Sequence, residues 1–196
     1  MLGVFLDTET NGLNSQIHQI LEIALQIVDL KNGKQLAFFE AIISHSKDVW
    51  EKSDQESLKI NGFTWEKVRS GILAKDVSKT ILDLFATWKI QRKKAVFICQ
   101  NPSFDRAFFS QLISPEIQEE LNWPYHWLDL ASMHWAISME KAIKEKSPLP
   151  CELGCSKDQI AKAYHLPPEE KPHRAMNGVK HLLLCYQAIV GYPERN

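Results

Sequence analysis

The apolar positions fall into short unbroken runs near the N-terminus and into helically spaced sets further along. Leu2–Leu6 is apolar up to Asp7, too short for a helix and suited to a buried strand. Ile20–Leu30 (ILEIALQIVDL) and Gln35–Ser44 (QLAFFEAIIS) flank Asn32-Gly33, a dipeptide that accepts the positive φ of a tight turn. They read as antiparallel partners and complete a three-stranded meander with the first run. From Asp54 to Trp88 the spacing is helical, broken at Asn61-Gly62, with Val77, Ile81, Leu84, Phe85 and Trp88 on one face. Ala95–Cys99 (AVFIC) is another buried strand. A helix is predicted from Ser103, where Phe104, Ala107, Phe108 and Leu112 share a face. Further helices are predicted over Leu128–Ile143, over Ser156–Tyr164 with Ser156 as N-cap, and from Ala175 to Val190, where Gly191 and Pro193 stop it. Residues 144–154 are charged, hold two prolines, and read as a loop.

Three strands, helix, strand, helix and then more helices make an α/β domain with a mixed sheet, one domain over residues 1–196. Hydrophobic residues at 44% and charged residues at 24% exclude a disordered or fibrous chain. With 23 basic against 24 acidic side chains the net charge is −1, so no general basic coat is available for nucleic acid. No apolar run reaches the roughly 18–20 residues of a membrane span, and MLGVFLDTET has no basic leader, so no membrane partner is expected. Cys99, Cys151, Cys155 and Cys185 are too scattered for a disulfide scaffold. Cys151 and Cys155 with His165, His173 and His181 match no compact zinc spacing. A reducing cytoplasm is the expected location.

Chemistry concentrates in a few carboxylates. Asp7 and Glu9 end the first strand two residues apart, so both side chains point to one face. They are either a solvated strand end or a pair that tolerates its repulsion by holding a cation. Asn11-Gly12 just beyond forms a tight turn that lets backbone approach a ligand. Asp105 follows the strand Ala95–Cys99, beyond the Asn101-Pro102 turn. There it either answers a helix dipole or, if the two strands are parallel, joins Asp7 at the sheet edge where ligands gather.

Together, FLDTETNGL (residues 5–13) and the downstream Asn101, Phe104 and Asp105 of QNPSFDRAFF resemble the first two motifs of the DEDD exonucleases. The resemblance takes in the N-terminal meander and the Lys59–Thr64 stretch (KINGFT). It runs on to Pro172-His173-Arg174-Ala175-Met176, similar to the third motif of the DEDDh branch. It implies a ribonuclease H-like fold, a mixed five-stranded sheet flanked by helices, and 3′→5′ exonucleolysis with two Mg2+ or Mn2+ ions per site. By the same resemblance, Asp7 bridges both metals, Glu9 holds the one presenting the attacking water, and Asp105 the one near the leaving oxygen. His173 is the implied general base. Thr10, Gly12 and Leu13 would meet the terminal nucleotide, with Leu13 as an apolar wedge. Asn101 and Phe104 join the substrate-binding set, although Phe104 also suits packing beneath the site. Two cations roughly 3.5–4 Å apart are suited to clamp the attacking and departing oxygens of an in-line displacement.

One position departs. Five residues after His173, where the family carries its fourth carboxylate, stands Gly178, and no Asp follows His173 anywhere in the chain. Asn177 or His181 could complete a weakened shell, or the chain could be an inactive nucleic-acid-binding or polymerase-associated relative. Gly178→Asp is expected to raise activity at least about tenfold by restoring a ligand. The resemblance leaves open a proofreading type like the DNA polymerase III epsilon subunit, a ribonuclease T-like trimmer and an oligoribonuclease. Its partner is therefore a single-stranded DNA or RNA 3′ end, with a DNA polymerase as a second candidate and homodimerisation left open. The basic stretches at 89–94 and 141–146 are either phosphate contacts or solvated faces. Trp65 and Trp88 are expected on core faces; Trp50, Trp123, Trp127 and Trp135 are left unassigned.

Overall fold

The computed structural model describes residues 1–194; the last two residues of the expected 1–196 domain lie outside it. The meander forms as β1 (Leu2–Thr10), β2 (Ile20–Asp29) and β3 (Lys34–Ser44). Three short helices follow, α1 (Lys47–Trp50), α2 (Gln55–Asn61) and α3 (Trp65–Arg69), then β4 (Ile72–Leu73) and α4 (Ala74–Thr87). Next come β5 (Ala95–Cys99), α5 (Pro102–Phe109), α6 (Pro115–Glu120) and β6 (Trp127–Asp129). The chain then runs through α7 (Leu130–Glu145), α8 (Pro150–Leu153), α9 (Lys157–Ala163) and α10 (Ala175–Ile189).

The sheet order is β4-β3-β2-β1-β5-β6. β2 is antiparallel to β1 and β3, whereas β1 runs parallel to β5 with Leu2 opposite Ala95 and Phe5 opposite Ile98. Alternation along β1 sorts its side chains onto two layers. Val4 and Leu6 join the core that includes Val77, Ile81 and Phe85 of α4 with Phe108 and Phe109 of α5. Phe5 joins the opposite core with Leu130, Ile160, Val179 and Leu182 of α7, α9 and α10. β2 lies well inside the sheet and is covered on both faces, which accounts for its near-continuous apolar run.

Six strands stand where the resemblance implies five, and the two that the hydrophobic pattern did not predict, β4 and β6, are short edge pieces. β6 takes two residues, Leu128 and Asp129, from the predicted start of α7, because Leu128 pairs with Ile98 and the helix begins only at Leu130, capped by Asp129. The Asp129 carboxylate accepts from the backbone N–H groups of Ala131 and Ser132. β4 interrupts the helical stretch after Asn61-Gly62, pairing Ile72 with Ile43. The expected loop at 144–154 contains the one-turn α8. Of the tryptophans, Trp123 is buried, Trp127 stacks on Phe97, Trp65 and Trp88 are half-buried, and Trp135 is exposed.

Candidate active site

Since β1 and β5 are parallel, their carboxyl ends share one edge, and the three predicted carboxylates come to it from two sides of the sheet. Asp7 and Glu9 extend the alternation of Phe5 and face the α10 layer. Thr8 faces the other way and donates from its hydroxyl to Asp105 Oδ1 at 2.8 Å, which ties α5 to the end of β1. Asp105 is buried on the first turn of α5. Asn101, in the left-handed conformation at φ 56°, precedes that helix; its N–H donates to Asp129 Oδ1 and its side-chain oxygen accepts from Ser103.

These carboxylates are costly to ionise where they stand. Burial, then repulsion from Asp7, pushes Glu9 up to about 8. Burial, then repulsion from Asp7, holds Asp105 well above the ordinary carboxylate range, against the Thr8 hydrogen bond. Asp7 is also raised, chiefly by burial, although an ammonium is in contact with it. That ammonium is Lys157 Nζ, 3.0 Å from Asp7 Oδ1 and 3.0 Å from Glu169 Oε2. The Glu169 side chain is 97% buried and the Lys157 side chain 85%. For Glu169, burial is overcome by His181 and Lys157, and its carboxyl falls to about 2. For Lys157, burial is overcome by Asp7 and Glu169, which hold the ammonium above its usual value. Lys157 and Glu169 are therefore each held in the charged form by the contact between them.

Gly178 lies directly beneath this pair. A β-carbon there would sit 2.3 Å from Asp7 Oδ2 and 2.5 Å from Asp7 Cγ, well inside contact distance. The missing carboxylate is thus a volume already filled by Asp7, and an aspartate at 178 cannot simply be added to the site. The expected gain from Gly178→Asp therefore requires the Asp7 carboxylate to move. Asn177 lines a cleft of about 260 Å3 with Pro168, Glu169 and His181. His181 is buried, its Nε2 at 3.0 Å from Pro167 O and its Nδ1 at 3.5 Å from Glu169 Oε2. It braces the segment carrying Glu169, and Glu169, not His181, meets the Lys157–Asp7 pair.

His173 lies just before α10, half-buried, with Nδ1 3.4 Å from Glu169 Oε1. Its placement depends on Glu22 of β2, opposite Glu9 in the β1–β2 register. Glu22 accepts from the N–H of Ala175 at 2.8 Å and from Nε of Arg174 at 2.9 Å, with a second bond from Arg174 Nη2. A carboxylate from the sheet thereby caps α10. The Lys59–Thr64 stretch supports the same corner. Asn61 donates to Thr10 O at 2.9 Å, His173 N–H donates to Ile60 O, and Arg174 lies over Phe63.

Of the expected substrate-binding residues, Leu13 is 77% exposed at the mouth of the turn. Thr10 is buried and donates to Gly12 O. Gly12 lies where a β-carbon would meet the His18 ring at 2.4 Å, so its smallness serves turn packing. Phe104 packs on Phe108 with ring centroids 4.8 Å apart and joins the core margin.

Sequence reasoning missed Lys157, Glu169 and Glu22. Lys157 left one signal, a lysine at the first position of a helix, where the dipole disfavours it. Glu22 left another, a lone carboxylate in an apolar strand that must find a buried partner. Glu169 left none beyond its closeness to His173.

Asp7, Glu9 and Asp105 are hard oxygen donors, the ligand type that suits a divalent cation such as Mg2+ or Mn2+. Yet among the described residues no group of three or more His, Cys, Asp or Glu side chains is gathered closely enough to hold one.

Solved structures share this fold. The zinc-bound complex of E. coli exonuclease I with single-stranded DNA aligns with a TM-score of 0.72 and 16% identity, over 96% of this chain and 40% of that one. E. coli exonuclease I with a dT13 oligonucleotide carrying a 5cy label gives 0.73 and 14%, over 96% and 40%. The moderately thermophilic exonuclease I of Methylocaldum szegediense gives 0.74 and 14%, also over 96% and 40%. The chain thus spans about two-fifths of the length of these structures. No curated protein sequence matches it. Residues 4–183, from the first residues of β1 into α10, match the RNase_T family of exonucleases, and the chain belongs to that family, with the ribonuclease H-like fold of its DEDDh type.

Proposed function

We propose that this chain removes nucleoside monophosphates from the 3′ end of single-stranded DNA by metal-dependent hydrolysis. The observation that carries this reading is the convergence of Asp7, Glu9 and Asp105 at the shared carboxyl edge of β1 and β5, with His173 beside them. The single-stranded DNA seen in complexes of structural neighbours favours DNA over RNA. Asp7, Glu9 and Asp105 would hold Mg2+ or Mn2+. Such a cation, when bound, acidifies a coordinated water and offsets charge on the leaving oxygen.

The rest of the chemistry belongs to side chains. With Nδ1 of His173 turned to Glu169, Nε2 is the ring atom left to take a proton from the attacking water. Glu169, 3.4 Å from that Nδ1, would support the charge that forms on the ring. Leu13, exposed beside the turn, would lean on the terminal base, and the Thr10–Gly12 turn would bring backbone close to the terminal sugar. The free thiols, with Cys99 and Cys185 buried, fit a reducing compartment such as the cytoplasm.

A 5′-labelled single-stranded DNA, incubated with the chain and Mg2+ or Mn2+, should yield a ladder shortening from the 3′ end. Asp7→Ala should abolish the ladder, and an RNA of the same sequence should be cut more slowly. Intact DNA with measurable binding would identify a non-catalytic binding module instead.

A further inference from the structure

Four carboxylates reach this edge, and the chain itself supplies a cation for two of them. Lys157 Nζ is 3.0 Å from both Asp7 Oδ1 and Glu169 Oε2, a bridge between acids 162 residues apart in sequence. Glu169 is almost entirely buried, and its other oxygen, Oε1, has no hydrogen-bond partner except the distant approach of His173. A carboxylate so placed is tolerated only with a cation against it. Three features build the arrangement. Ser156 caps α9 and forms a reciprocal pair with Gln159, which fixes the first helical residue, Lys157. Gln100, next to the end of β5, donates to Cys155 O at 2.8 Å and fastens the entry to that helix to the sheet. Gly178 leaves the space that Asp7 fills on turning to the lysine.

Glu9 and Asp105 remain. Neither makes an ion pair among the described residues, since Arg174 is taken by Glu22. They are the carboxylates left to hold a cation from solution.

We propose that the Lys157 ammonium takes the place of one of the two divalent cations that the family resemblance implies. The chain would then bind a single Mg2+ or Mn2+, with Glu9 and Asp105 as the carboxylates left to hold it. This rests on the exonuclease reading above and adds a count to it. A lysine side chain delivers one fixed positive charge at a covalently set position, so it needs no metal from solution. It cannot acidify a bound water as a metal does, which leaves proton removal to His173. Gly178 and Lys157 then form one unit: the small residue and the built-in cation replace a carboxylate and a metal.

The test is Mn2+ binding to the full chain without substrate, by calorimetry and electron paramagnetic resonance. The comparison is with Lys157→Met, which keeps the apolar stem and removes the charge, and with Lys157→Met/Glu169→Gln. The double variant leaves no buried carboxylate unpaired and stands in if the single one fails to fold. The wild type should bind one Mn2+ per chain with an uncoupled six-line signal. A variant should bind a second, about tenfold tighter than any second ion on the wild type, with a spin-coupled signal from ions roughly 4 Å apart. Two tight ions on the wild type would overturn the lysine's role and leave the exonuclease reading standing. One ion on every protein would do the same, because the vacated position would then not be a cation site. No binding to any of them would overturn both.

Discussion

At position 178 the size of one side chain decides the direction of Asp7. With hydrogen there, Oδ2 of Asp7 lies over the glycine and Oδ1 reaches Lys157; a β-carbon would overlap the carboxylate at 2.3 Å. Gly178→Asp alone should therefore lower exonuclease activity, at least about fivefold, because it drives Asp7 off Lys157 and leaves Glu169 paired with a displaced ammonium. Combined with Lys157→Met, the same substitution should recover activity to the parental level or above, since the aspartate then has both space and a cation to share. Rates of 3′-end removal for the two single variants and the double one form a cycle, and the proposed coupling requires strong non-additivity. Additive losses would mean that Gly178 and Lys157 act separately.

Elements matter here through the way β2 and α10 are joined. Glu22 takes the place of an N-cap side chain from outside the helix, since Arg174 at the cap position makes no such bond. Glu22→Ala removes two hydrogen bonds to Arg174 and one to the first N–H of α10, and should cost about 3 kcal/mol in urea denaturation. Because His173 immediately precedes that turn, kcat should fall more than KM rises in the same variant. A loss of stability with kcat unchanged would show that the cap does not position the histidine. This joint also marks how far the sequence could be read. Asp7, Glu9, Asp105 and the α10 face announce themselves through local alternation, a strand end and helical spacing, and local signals survive in one dimension. β4 and β6 do not, since two or three residues carry no period and become strands only by pairing with Ile43 and Ile98. Lys157 and Glu169 escape for a related reason. They are twelve residues apart on a short helix and a connecting segment, and only the folded chain sets Lys157 between Asp7 and Glu169.

For the molecule as a whole, stability is linked to protons through the same cluster. Glu9, raised from 4.5 to about 8, favours folding while protonated; that contribution is complete below its unfolded value and lost as pH climbs through about 8. Asp7 and Asp105, both raised, act in the same sense. Glu169, lowered from 4.5 to about 2, acts oppositely: its contribution is present above 4.5 and lost as pH falls toward 2. Glu9 alone carries on the order of 5 kcal/mol at about 1.4 kcal/mol per pH unit, reduced by whatever relaxation hydrates the site. The metal-free chain should thus be most stable near the unfolded carboxylate values, at about pH 5, and weaken toward pH 8. A fall in Tm of roughly 10 °C across that interval is expected for a domain of this size. A divalent cation binds the ionised carboxylates, so it should raise Tm little at about pH 5 and most at about pH 8, which flattens the profile. Scanning calorimetry in chelator and in Mn2+ at both pH values checks this, because a structure stabilised without regard to its carboxylate edge would show equal metal effects at the two. Asp105→Asn should flatten the metal-free profile and remove most of the Mn2+ effect at once, since the same charge both weakens the apo fold and holds the ion. A variant that lost one behaviour and kept the other would separate the strained carboxylates from the cation they are proposed to bind.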